Sequence, residues 1–242
     1  MKNITIVVPT MKRDKSAFDY LSTMMDHSHF DMDFCDHKFI FSYQNEKDEV
    51  LQYTDKHNFE FIYRDETNEL YKPLSKFDKG SYEYWRSHLC IDFIYSMNSA
   101  MEKSTSDYFM WLEDDTILTP EFATIFQNDI HDISNYANIG FCCIVFQKNV
   151  LRKFIDFIKI NYLEDIPLDL MLQHIPSMNE FHPKKCAYHI GVISSRDDSL
   201  ITRVVEEPFK LSTYPISPVY IILLLIGLIG LIGLYYLFMK RR

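Results

Sequence analysis

Three consecutive carboxylate residues, Glu113, Asp114 and Asp115, follow the apolar run from Asp107 to Leu112. That run predicts a buried strand, which would deliver all three acids to its carboxyl end. Adjacent carboxylates repel one another, and a divalent cation removes that cost because hard cations bind carboxylate oxygens. Such a cation can also bridge a diphosphate and neutralise charge on a departing nucleotide. The alternative is a solvated acidic turn that caps the next helix.

A second candidate group follows the first predicted strand, Ile4 to Val8, which Pro9 ends. In open α/β sheets ligands bind beyond the carboxyl ends of the strands. Thr10 and Arg13 therefore lie where a nucleotide would enter, and residues 9–13 and 113–115 could line one cleft. The alternative for Arg13 is a solvated surface cation.

The helical pattern from Tyr82 to Lys103 carries two further candidates, Arg86 and Asp92. Arg86 sits on an otherwise apolar helix face, where a planar guanidinium could hold uracil or a diphosphate. Asp92 could orient Arg86 or contact the nucleotide. The alternatives are a surface salt bridge for Arg86 and an exposed helix carboxylate for Asp92.

The elements that must position these residues alternate between strand and helix patterns, which predicts an α/β layered domain with a mostly parallel central sheet. Residues 65–81 are polar, contain Pro73 and Gly80, and predict a long loop. The other predicted strands are His37–Tyr43, Phe59–Tyr63, Ile139–Phe146 and Cys186–Ile190, and the other predicted helices are 15–27, Glu46–His57, one that begins at Thr119–Pro120, 147–162 and Pro167–His174.

Six segments in order resemble N-acetylglucosaminyltransferase IV and its relatives, glycosyltransferase family 54, which have a GT-A fold. They cover most of residues 4–195. The segments are ITIVVPTMKR at 4–13, YWRSHLCIDFIYSM at 84–97, YFMWLEDDTILTPEF at 108–122, GFCCIVFQKNVLRKFIDFI at 140–158, IPLDLMLQHI at 166–175 and AYHIGVISS at 187–195. The resemblance implies a GT-A-type nucleotide-sugar-binding domain.

The resemblance also implies roles for individual residues. Asp115 resembles the direct ligand of Mn²⁺, and His189 resembles a late histidine that contacts the metal or the diphosphate. Asp114 would face the ribose of the donor and Glu113 its sugar. Taken without the resemblance, His189 is more typical of a core histidine.

Asp169 is the candidate catalytic base. An inverting transfer needs a carboxylate to take the proton of the acceptor hydroxyl as that oxygen attacks the anomeric carbon. Asp169 lies among Leu168, Leu170 and Leu172, and a partly apolar setting raises the proton affinity of a carboxylate. The alternative is an acid in the first turn of a helix, which the helix dipole favours.

The net charge of -9 argues against a nucleic-acid-binding surface. Residues 219–239 carry no formal charge, are rich in Ile and Leu, and are long enough to span a bilayer as one helix. We therefore expect a glycosyltransferase domain at 1–204, a linker at 205–218, a transmembrane helix at 219–239 and a basic tail at 240–242. The protein would be a single-pass membrane protein, in the Golgi or endoplasmic reticulum if the domain is lumenal.

These features together predict an inverting, Mn²⁺-dependent transfer of N-acetylglucosamine from UDP-GlcNAc to a mannose-containing, N-glycan-like acceptor. The sugar identity comes from the resemblance alone. One alternative keeps the fold and changes the donor or acceptor, as in a hexosyltransferase. Another is a catalytically inactive, membrane-tethered module that binds a glycan or nucleotide.

Overall fold

The computed structural model describes residues 3–11, 19–64, 69–79, 81–129, 136–138, 143–164, 166–172 and 187–190, and for Asp169 and His189 it describes the backbone alone. Every described residue belongs to one compact unit, Met1–Thr202. The candidate Arg13, the predicted linker and the predicted transmembrane helix lie outside these ranges. Within the ranges, no helix has both the length and the apolarity that crossing a membrane requires.

Four parallel strands form the part of the sheet that concerns the site. They lie in the order β3 (Glu60–Arg64), β2 (Cys35–Tyr43), β1 (Ile4–Pro9) and β4 (Tyr108–Leu112). All five residues of β4 are buried, as expected for a strand that is covered on both faces. Because the four strands are parallel, the residues that follow β1 and β4 meet at one edge, the carboxyl edge of the sheet.

Two more strands extend the sheet beyond β4. β6 (Tyr136–Asn138) pairs with β7 (Cys143–Gln147), and β7 runs antiparallel to β4. Among the described strands of this sheet, three of the five pairings are parallel, so the predicted α/β domain with a mostly parallel central sheet is confirmed. The sequence pattern predicted neither β6 nor the reversed direction of β7.

A separate two-stranded sheet follows the three acids. β5 (Thr116–Leu118) pairs antiparallel with β8 (Ala187–His189). The late strand was predicted at Cys186–Ile190, but β5 was not predicted. This small sheet brings a distant part of the chain next to the end of β4.

Helices cover both faces of the large sheet. Ile4, Ile6 and Val8 of β1 pack on one face, and Val7 packs on the other, as the alternation of a strand requires. Side chains of α1, α2 and α4 join the first face, and those of α3, α5 and α6 join the second. The helices are α1 (Asp19–His27), α2 (Lys47–Thr54), α3 (Tyr82–Lys103), α4 (Pro120–Asp129), α5 (Lys148–Asn161) and α6 (Leu168–Leu172).

The prediction of a long loop at residues 65–81 is wrong for the part at 69–76. Residues Glu69–Lys76 form a 3-10 helix with Tyr71 and Leu74 buried. Lys72 and Pro73 separate these two positions, and the surrounding residues are mostly polar, so the pattern predicts a loop although the segment packs against the core. The 3-10 helix places Tyr71 beside the carboxyl edge.

Helix α3 has the predicted bounds. Its first turn is capped by Ser81, whose Oγ accepts a hydrogen bond from the backbone N of Tyr84 at 3.1 Å. The helix links the end of β3 to the start of β4, so its N-terminal turns lie at the carboxyl edge. It therefore carries side chains to the carboxyl edge.

Candidate active site

Thr10 and Asp114 meet at the centre of the carboxyl edge. The backbone N of Thr10 donates to the carbonyl oxygen of Phe41 at 2.8 Å, which fixes Thr10 just past the end of β1. Its Oγ1 donates to Oδ2 of Asp114 at 2.7 Å, and both side chains are buried. The structure thus joins the two strand ends that the sequence predicted to share a cleft.

The three acids form a tight turn between β4 and β5. The backbone N of Thr116 donates to the carbonyl oxygen of Glu113 at 3.1 Å. Asp114 and Asp115 are buried, and Glu113 is half-buried. Burial of two adjacent acids argues against the alternative of a solvated acidic turn, because buried charges need compensating partners.

His189 lies next to Asp115 in the backbone. Thr116 pairs with His189 across the β5–β8 ladder, and the backbone N of Ile190 donates to the carbonyl oxygen of Asp115 at 2.7 Å. The sequence therefore places a carboxylate and an imidazole on neighbouring strand ends. This pair of donor types suits a divalent ion such as Mn²⁺.

The described side chains include Asp115 but not His189. Among them, no group of three or more His, Cys, Asp or Glu residues is arranged to hold a metal ion. The donor chemistry of residues 113–115 and 189 fits a divalent cation, and a metal site there stays a prediction.

A buried arginine that the sequence analysis missed lies at the carboxyl edge near β2 and β3. Arg64 is the last residue of β3, and its side chain is fully buried. Its Nη1 lies 2.6 Å from Oδ1 of Asp92, and its guanidinium carbon lies 4.4 Å and 4.2 Å from the ring centroids of Tyr43 and Tyr71. Tyr71 also donates a hydrogen bond to Asp92 Oδ1 at 3.3 Å. The cluster ties β2, β3, the 3-10 helix and α3 together.

The alternative of an exposed helix carboxylate is wrong for Asp92, because Asp92 is buried and pairs with Arg64. Its role in orienting Arg86 or contacting the nucleotide stays a prediction. The sequence does contain an indication of this pair. A basic residue at the end of a mostly apolar strand, such as Arg64, predicts an acidic partner, and Asp92 lies on the following helix.

His88 completes this cluster as a neutral acceptor. Arg64 Nη2 lies 2.9 Å from His88 Nε2, and a guanidinium only donates, so the imidazole must accept. Burial, and then the charge of Arg64, lower the pKa of His88 from its usual 6.5 to about 3. The 3.5 Å approach of its Nδ1 to Asp92 is therefore a contact of a neutral ring and not an ion pair.

The remaining candidates are placed as follows. Arg86 lies in the second turn of α3, with its guanidinium carbon 4.4 Å from the ring centroid of Tyr82. Asp169 lies in α6 between Leu168, which is buried, and Leu170, which is exposed. Helix α6 packs with α3 and α5 in the second core layer.

The structure brings Thr10, Asp114 and Asp115 to one edge and leaves the functional roles of all candidates as predictions.

Replacing Thr10 by valine is expected to lower the free energy of unfolding by about 1.5 kcal/mol, because a buried charged acceptor loses its donor. Thr10→Ser, which keeps the hydroxyl, is the matched control and should stay close to the wild type. Urea unfolding of the three proteins measures the difference. Equal losses for the two variants would contradict a role for the hydrogen bond.

The sequence matches no family model. Over 112 residues it is 28% identical to alpha-1,3-mannosyl-glycoprotein 4-beta-N-acetylglucosaminyltransferase B of Danio rerio, and equally to the proteins of that name from Mus musculus and Homo sapiens. The match covers 43% of this chain and 20% of each relative, so the chain spans about a fifth of the length of these relatives. This similarity confirms the resemblance that the motifs indicate.

Two solved structures in which the chain follows a similar course are a protein titled as a glycosyltransferase and S. aureus TarS. A glycosyltransferase involved in the glycosylation of the major capsid of PBCV-1 has a TM-score of 0.43 at 12% identity, covering 80% of this chain and 95% of that one. S. aureus TarS has a TM-score of 0.45 at 11% identity, covering 78% of this chain and 37% of that one.

Proposed function

We propose that the chain contains an inverting, metal-dependent glycosyltransferase domain that transfers N-acetylglucosamine from UDP-GlcNAc to a mannose-containing acceptor. The observation that carries the proposal is the burial of Asp114 and Asp115 at the carboxyl edge, where Thr10 donates to Asp114. The sequence similarity to 4-beta-N-acetylglucosaminyltransferases suggests the sugar and the acceptor class.

In this proposal Asp115 and His189 hold the divalent cation, for which Mn²⁺ is the first choice. When bound, that ion neutralises negative charge on the diphosphate as the UDP leaves. Asp114 is held in place by Thr10 and accepts from the ribose, while Glu113 contacts the donor sugar. Arg86 and Arg13 supply positive charge for the nucleotide diphosphate.

Asp169 is proposed as the base. It takes the proton of an acceptor hydroxyl while that oxygen forms a bond to the anomeric carbon. The bond from that carbon to the diphosphate oxygen breaks on the opposite side and leaves UDP, so the configuration inverts.

Calorimetric titration of UDP-GlcNAc into the full-length chain, with and without Mn²⁺, tests the donor site. We expect Mn²⁺-dependent binding that weakens about thirtyfold in Asp115→Asn, a loss of about 2 kcal/mol. Asp107→Asn is the matched control, because Asp107 is an exposed acid at the other end of the same strand. Binding that ignores Mn²⁺, or that is equally weakened in both variants, would refute the proposed site.

A further inference from the structure

The N-terminal turns of α3 extend past the carboxyl edge of the sheet. His88 contacts Arg64, the last residue of β3, so His88 lies level with that edge. Tyr82 precedes His88 by six positions, which is about 9 Å along a helix. The first turn of α3 therefore stands above the edge, beside the space that a donor and an acceptor would occupy.

Tyr82 shares one helix stripe with Phe93, whose ring contacts β4. Tyr82, Arg86 and Phe93 are spaced by four and seven positions and so share one helix stripe. The Phe93 ring lies 4.9 Å from Trp111, which is in β4 shortly before Glu113. Continued towards the N-terminus, this stripe places Tyr82 above the strand end that carries the three acids.

The ring of Tyr82 is accessible and held in place. Tyr82 is 43% exposed, which is a high value for a large aromatic residue in this domain. The Arg86 guanidinium stacks on it at 4.4 Å, and the Trp85 ring meets it edge-on at 6.1 Å. A ring fixed by its neighbours loses little entropy when a ligand covers it, which favours binding.

We propose that Tyr82 and Trp85 form a sugar-binding platform for the acceptor glycan. The apolar face of a pyranose packs on an aromatic ring, while its hydroxyl groups bond to a polar neighbour such as Glu83. A neutral oligosaccharide suits this surface, since it combines aromatic area with one cation and one acid, Glu83. The inference rests on the proposed transferase function and assigns it an acceptor surface.

Fluorescence titration of the full-length chain with α-linked mannotriose tests the platform, with maltotriose as the control sugar. The chain has two tryptophans, and Trp111 is buried in β4, so Trp85 reports binding at the platform. We expect mannotriose to bind about tenfold more weakly to Tyr82→Ala, and within about twofold of the wild type to Tyr82→Phe.

Tyr63→Ala is the matched control, because Tyr63 on β3 is also 43% exposed. It should leave mannotriose binding unchanged. Equal affinity in Tyr82→Ala and the wild type, or no mannotriose binding by the wild type, would overturn the platform.

Calorimetry with UDP-GlcNAc and Mn²⁺ on the same samples separates the two proposals. Normal donor binding without Tyr82-dependent sugar binding overturns the platform and leaves the transferase proposal standing. Tyr82-dependent mannotriose binding without donor binding supports a glycan surface and refutes the transferase proposal.

Discussion

Replacing Arg64 by methionine is expected to lower the free energy of unfolding by about 3–5 kcal/mol, because it leaves the buried carboxylate of Asp92 without its cation. Nη1 of Arg64 lies 2.6 Å from Asp92, and the arginine side chain is fully buried. The substitution also removes the guanidinium from the rings of Tyr43 and Tyr71 and the donor from His88. Urea unfolding followed by circular dichroism measures the loss.

Lys159→Met provides the matched control for Arg64→Met. Lys159 pairs with Asp156 at 3.6 Å on the exposed side of α5, and such pairs contribute about 0–1 kcal/mol. The double variant Arg64→Met/Asp92→Leu should recover part of the loss, because it removes both charges. A loss in Arg64→Met no larger than in Lys159→Met would contradict the importance of the cluster.

Acidification is expected to destabilise the domain by protonating His88 in the unfolded chain. The pKa of His88 is about 3 in the folded protein and 6.5 as its ordinary value, so the folded state resists the proton. Its contribution to stability is complete above pH 6.5 and is lost as the pH falls towards 3. From pH 7 to pH 5 the loss is about 2 kcal/mol, and by pH 4 it exceeds about 3 kcal/mol.

His88→Gln isolates this contribution, because glutamine keeps an acceptor but does not titrate in this range. The difference in unfolding free energy between the wild type and the variant should shrink by about 2 kcal/mol from pH 7 to pH 5. Other titrating groups act on both proteins and cancel in the comparison. Parallel pH dependence of the two proteins would show that His88 is not held neutral.

Short sequence patterns predicted the helices and strands whose formation depends mainly on neighbouring residues. The bounds of α3 were predicted from its helical pattern, and the structure adds Ser81 as the cap of its first turn. The buried run of β4 and the acids after it were predicted because a fully apolar strand leaves its polar residues at the end. Thr10 was assigned to the same cleft from the general rule for parallel sheets, and its hydrogen bond to Asp114 agrees with that rule.

The features that were missed depend on residues far apart in sequence. Arg64 meets Asp92 and His88 only because β3 and α3 fold together, and no short window contains the three residues. The sequence analysis considered Arg86, the nucleotide and solvent for Asp92, and it did not consider Arg64, which lies on a different element. β5 was missed because three residues carry no reliable period, and its pairing with β8 is a long-range event.

The ladder between β5 and β8 also has a consequence for the order in which the protein is assembled. Among the described residues, the large sheet contains no strand after β7, which ends at Gln147, whereas β8 begins at Ala187. During synthesis the N-terminal part of a domain is available first, and contacts between distant residues form late. The six-stranded scaffold can thus form while the backbone partner of Asp115, Ile190, is still within the ribosome. The surroundings of Asp115 are completed last, so a chain that is released early would carry the scaffold without the finished site.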